Sequence, residues 1–85
     1  QKKASIERKR LEQKVEKIEK EILSFEEQQA EINLLLADPE SYNDPVKGKT
    51  LNEQASRIAR KLKERNYEWE IEAGILSKLL AKPTS

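Results

Sequence analysis

Apolar residues recur along the first part of the chain at Leu11, Val15, Ile18, Ile22, Phe25, Ile32 and Leu36, in alternating steps of four and three that only Gln29 interrupts. That spacing is the a/d seam of a heptad repeat, sustained over more than three repeats. A second series runs Leu51, Ala55, Ile58, Leu62, Trp69, Ala73, Leu76, Leu80. It stays in step only if one extra residue is absorbed near Asn66, so an irregularity such as a π-bulge is expected between Leu62 and Trp69. The segment between the two series, ADPESYNDPVKGKT, concentrates the helix breakers: Pro39, Pro45 and Gly48.

Two tests support folding one seam back on the other. Antiparallel partners about a fixed turn keep a constant sum of residue numbers, and Leu36 with Leu51, Ile32 with Ala55, Phe25 with Leu62, Ile18 with Trp69 and Leu11 with Leu76 all add to 87. Gln29 then faces Ile58, a polar layer of the kind that fixes register at some cost in stability. The turn also carries capping signals. Asp38 before Pro39 has the chemistry of an N-cap and first helical residue, which predicts a short helical turn over Pro39 to Tyr42. Thr50 with Glu53 spells a capping box and predicts the start of the second helix. The expected fold is all-α: a two-helix antiparallel coiled-coil hairpin with a short helical turn in the connecting loop. Helix one spans about 4–37, the loop 38–50 and helix two about 51–81, with Lys82 to Ser85 frayed. From Leu11 to Leu36 such a rod is about 39 Å long.

Composition changes the picture in two ways. At 85 residues, 39% charged and 35% hydrophobic, the chain can bury little apolar surface per residue, so a rod of modest stability is expected. Cysteine and histidine are absent, which removes disulfides and the commonest metal ligands. No apolar run approaches the ~20 residues of a membrane span. The chain opens on Gln1 without a signal-peptide pattern, and reads as a single domain that is a C-terminal fragment of a larger protein. Neither a nucleophile beside a base nor a glycine-rich phosphate cradle can be assembled, so no catalytic residue, metal site or cofactor is assigned.

Charge is strongly segregated. Residues 1–20 carry eight basic and four acidic side chains, 21–45 carry seven acidic and no basic ones, and 46–65 carry seven basic ones against Glu53 and Glu64. Basic clusters attract phosphate backbones through counterion release. This marks Arg8, Lys9, Arg10, Lys14 and Lys17 on helix one, and Arg57, Arg60, Lys61 and Lys63 on helix two, as candidate nucleic-acid-binding residues. The plain alternative is a solvated coiled-coil surface, because folding brings Glu21 to Glu31 beside Arg57 to Arg65. The helix-one cluster is expected to be the less neutralised. A second apolar stripe, Ile71, Ile75 and Leu79, widens the apolar face of helix two and marks a candidate protein-docking surface, unless the turn around Ile6 covers it.

The run LEQKVEKIEKEI (Leu11 to Ile22), the turn LADPESYND around Asp38 to Tyr42, and NYEWE with Tyr67 and Trp69 resemble the C-terminal domain of the ABC-F ATPases, including the Uup-like members. The resemblance covers about residues 5–76. Glu72, Gly74 and Ile75 stand where a leucine-bearing WEEL run is more usual, and the loop YNDPVKGKT is longer and more basic than the family's. It implies a cytoplasmic parent with two ATP-binding cassettes, holding ATP and Mg outside this chain, and commonly acting at the ribosome in translation. It also implies a DNA- or RNA-contacting role for this tail, with the parent's ABC domains as partners. A weak homodimer or a structural spacer is the alternative role.

Overall fold

The computed structural model describes residues 2–81, with side chains described for 5–41 and 43–81. Lys82 to Ser85, where fraying was expected, lie outside the described residues. Three helices follow one another: α1 (Lys2–Leu36), α2 (Pro39–Tyr42) and α3 (Pro45–Ala81), with no strand among the described residues. α1 and α3 pack along their lengths to form a rod of 65 × 15 × 14 Å.

Two Asp-Pro pairs punctuate the chain. The backbone of α1 closes with the Ala37 amide donating to Asn33 O at 3.1 Å and the Asp38 amide to Leu35 O at 3.2 Å. A residue before proline is pushed out of helical conformation, and Asp38 sits extended at φ −74°, ψ 130°. Its carboxylate accepts from the Glu40 amide at 3.1 Å, which caps the expected turn Pro39–Tyr42. Asp44 and Pro45 repeat the device. Asp44 Oδ1 accepts from the Val46 amide at 3.1 Å and the Lys47 amide at 3.3 Å.

The second helix therefore begins at Pro45, not near Leu51, and the loop expected over 38–50 shortens accordingly. Gly48 is helical, its amide donating to Asp44 O at 3.0 Å. Thr50 does not open the helix: its hydroxyl donates back to Val46 O at 3.0 Å, a mid-helix bond. An aspartate followed by proline outcompetes a threonine downstream because the proline ring is already set at the helical φ and has no N–H to satisfy.

No π-bulge interrupts α3 between Leu62 and Trp69; the helix is continuous there. Burial shows why none is needed. Arg65 is half-buried and Asn66 exposed, Glu72 is half-buried, and Leu79 is half-buried while Leu80 is 57% exposed. Arg65, Glu72 and Leu79 thus continue the heptad steps from Leu62 past Trp69, which is 37% exposed, and Leu76, with Ala73 half-buried beside Glu72, so two charged residues hold positions that an apolar reading skips.

The core is thin, as two helices dictate. Val15, Ile18, Ile32, Ile58 and Leu62 are buried, and Ile22, Phe25, Leu36, Leu51 and Ala55 pack against the cluster of Ile32, Ile58 and Leu62. Ile18 is the most enclosed at 3% exposure. Contacts across the rod pair early residues of α1 with late residues of α3: Lys14 with Glu72, Glu21 with Arg65, Phe25 with Lys61. Near the turn Ser41 of α2 is buried, with its amide bonded to Asp38 O at 3.0 Å.

Candidate nucleic-acid interface

The nine basic residues singled out by sequence fall into three sets. Two are engaged within α1 or across the rod. Arg8 Nε lies 3.8 Å from Glu12 Oε1, with both side chains about half exposed, and a pair of that kind contributes only ~0.3–0.5 kcal/mol. Lys14 Nζ lies 2.9 Å from Glu72 Oε1, whose side chain is only 14% exposed. The hydrogen bond to Glu72 and its charge raise the Lys14 pKa above 10.5; desolvation opposes the rise and the charge of Glu68 adds to it. Lys14 is therefore a structural cation. Lys9, Arg10 and Lys17 are exposed on α1 and form no ion pair among the described residues.

The third set, on α3, is not one stripe. Each residue turns 100° about a helix, so neighbours three or four apart share a side while the run as a whole winds around. Arg57 and Lys61 line an open groove of ≈ 420 Å³ with Phe25, Glu31, Ile32 and Gln54. There the Lys61 ammonium lies 5.7 Å from the centroid of the Phe25 ring, a cation–π distance. Arg60 and Lys63 line a different groove of ≈ 750 Å³ with Gln29, Leu62, Asn66 and Tyr67. Arg60 also borders a third groove, shared with Lys49, Ser56 and Arg57.

Neutralisation across the seam is narrower than the charge pattern implied. Of the acidic stretch Glu21 to Glu31, Glu21 alone forms a cross-helix ion pair among the described residues, with Arg65 Nη1 at 3.6 Å; Arg65 Nη2 also meets Glu68 at 3.0 Å. Arg57, Arg60, Lys61 and Lys63 have no carboxylate within 4 Å among the described residues. The α3 cations are the less neutralised set, the reverse of the expectation. Glu31 shares a groove with Arg57 and Lys61 without pairing with either, and Lys61 lies over the Phe25 ring instead.

Lys49 and Tyr67 were not among the candidates. A helix starting near Leu51 leaves Lys49 in the loop; starting it at Asp44-Pro45 puts Lys49 on α3 in heptad spacing with Ser56, Arg60, Lys63 and Tyr67, a signal present in the sequence. Tyr67 is 67% exposed. Of the docking residues, Ile71 and Ile75 are each 45% exposed; Ile6, whose turn is the alternative cover, is itself 51% exposed. Leu79 is half-buried, in heptad step with Leu76, and is less exposed than Ile71 and Ile75.

Among the described residues no cluster of three potential metal ligands exists, and no helix is long and apolar enough to cross a membrane. A family model described as the ABC transporter C-terminal domain matches residues 4–72. No curated protein and no solved structure matches the chain.

Proposed function

The chain belongs to the ABC transporter C-terminal domain family, and from that premise we propose that it is the non-catalytic, nucleic-acid-contacting arm of a cytoplasmic ABC-F ATPase with a translation-related role. In this reading the arm is an antiparallel coiled-coil hairpin, and its partners are DNA or ribosomal RNA together with the parent's own ABC domains. The observation that carries the reading is the absence of carboxylate partners, among the described residues, for Arg57, Arg60, Lys61 and Lys63. Cations left unpaired on a rigid helix keep their full capacity to displace counterions from a phosphate backbone. Lys9, Arg10 and Lys17 extend the same capacity along α1.

Binding of the chain to duplex DNA and to a ribosomal RNA fragment, titrated over salt, tests this. The logarithm of affinity should fall linearly with the logarithm of salt, with a slope of roughly −0.9 per phosphate contact on a duplex. Joint reversal of Arg57, Arg60, Lys61 and Lys63 to glutamate should flatten the slope. Lys14 is best left intact in such variants, since its loss would disturb the fold through Glu72. Affinity that is indifferent to both salt and charge reversal removes the reading.

A second reading has its own support. Ile71 and Ile75 stay 45% exposed on α3, which fits a structural element that docks on the parent's ATPase domains or self-associates. Sedimentation of the wild type beside an Ile71→Ser, Ile75→Ser double variant separates the two readings. A monomeric mass for the wild type at high concentration counts against self-association.

A further inference from the structure

The groove beside Tyr67 has a composition that a phosphate track does not need. Its walls carry Arg60 and Lys63, but also Glu64 and Glu70, with Asn66 and the tyrosine itself. Two carboxylates repel a duplex backbone and cancel much of the attraction that the two cations provide. The same carboxylates are good acceptors for the amino groups and ring N–H groups on base edges, and Asn66 offers both a donor and an acceptor. Tyr67, 67% exposed, presents a flat aromatic surface that the core does not use. It sits four residues from Lys63 and three from Glu70, so the three side chains share one side of α3.

Resting on the nucleic-acid reading of the arm, we propose that this groove takes an unpaired nucleobase from a looped or single-stranded segment, stacked on Tyr67 and held at its edge by Asn66 and Glu70. Arg60 and Lys63 hold the flanking phosphates. An aromatic platform with edge-reading polar groups suits bases that have left the stack, whereas a duplex hides both the face and the edge. The carboxylates set a graded preference: cytosine, adenine and guanine carry an exocyclic amino group, which has two hydrogens to donate, whereas uracil offers a single ring N–H flanked by two carbonyl oxygens that face the carboxylate unfavourably. At ≈ 750 Å³ the open groove has room for a base and its ribose.

The test uses the 85-residue chain and three labelled RNAs that share one stem: a hairpin with a cytidine loop, one with a uridine loop, and a fully paired blunt duplex. The cytidine hairpin should bind at least about fivefold more tightly than the duplex, the lower end of what one stacked base supplies. Tyr67→Ala should erase that margin, Tyr67→Phe should retain it, and Glu70→Gln should shrink the preference for cytidine over uridine. Loop binding by Tyr67→Ala equal to wild type, with Arg60→Glu and Lys63→Glu weakened on all three RNAs, overturns the unpaired-base site and leaves the arm reading standing. Failure of all three RNAs to bind even at low salt removes the unpaired-base site, and failure of duplex DNA as well removes the arm reading with it.

Discussion

Lys14 and Glu72 meet at 2.9 Å across the rod, and Glu72 does so from a seam position that an apolar side chain would ordinarily fill. A polar seam residue trades stability for a defined partner. Glu72→Leu should therefore raise the melting temperature, because it places an apolar side chain in the register opposite Val15 and leaves behind only a solvent-exposed lysine. Lys14→Met should lower it, since Glu72 stays largely enclosed without its cation. Thermal melts of both variants by circular dichroism check the two signs.

The same pair sets a pH dependence. The folded-state pKa of Lys14 is raised, so its contribution is fully present below its unfolded value of 10.5 and is lost as pH rises through the folded value. Melting temperatures should be insensitive to this pair from neutral pH to about 9 and should fall on the alkaline side. In Lys14→Met that component of the alkaline decline should vanish, leaving a smaller slope than in the wild type.

Asp44 is the cap of α3, accepting from two amides, and Thr50 is an interior residue. Asp44→Ala should cost about 1 kcal/mol of stability, within the usual range for a lost N-cap. Thr50→Ala should cost nothing or stabilise slightly, because alanine has the higher helix propensity and the back-bond to Val46 O is dispensable. Urea unfolding of the pair distinguishes a helix that starts at Pro45 from one that starts at Leu51.

Gly74 lies inside α3 with nothing within 4 Å of where a Cβ would stand. Gly74→Ala should therefore stabilise by about 1 kcal/mol through helix propensity and the narrower unfolded ensemble. A rise of roughly 4–8 °C in melting temperature is expected for a domain of this size. At Gly48 a Cβ would meet Ser41 O at 3.5 Å, an ordinary contact, so alanine there should also be tolerated.

Ile18 and Leu34 are both large aliphatic residues of α1, at 3% and 74% exposure. Ile18→Ala should cost about 2 kcal/mol or more, enough to unfold much of a thin two-helix core at ambient temperature. Leu34→Ala should be close to neutral. Denaturant titration of both variants reads the contrast.

The sequence made the helical architecture legible up to Leu62, because each seam position there is apolar or the single Gln29. Beyond Leu62 an apolar reading moves from half-buried Arg65 to exposed Asn66 and from half-buried Leu79 to exposed Leu80, and it counts Ala73 while passing over the equally half-buried Glu72. Arginine and glutamate occupy such positions by keeping their charged ends at the rim while the rest of the side chain lies in the interface, and hydropathy does not register that division. Arg65, with its side chain 31% exposed and its guanidinium on Glu21 and Glu68, is the clearest instance. The turn was half legible. Asp38-Pro39 was recognised as a cap, but its repeat at Asp44-Pro45 was masked by Gly48 and by the capping-box pattern at Thr50. The candidate interface was legible as a list of cations. Its division between two flanks, and the identity of the paired ones, depend on helical phase and on where carboxylates end up across the seam.

The two ionic contacts between the long helices among the described residues, Lys14 with Glu72 and Glu21 with Arg65, lie seven residues apart on each helix. Sliding one helix by a heptad in one direction would bring Glu21 against Glu72; in the other it would set Lys14 against Arg65 and Glu7 against Glu72. Both displacements preserve an apolar seam along part of the rod, yet both convert attraction into repulsion. The two pairs therefore act as a key for this alignment of the helices, each weak by itself but both lost together when the alignment shifts.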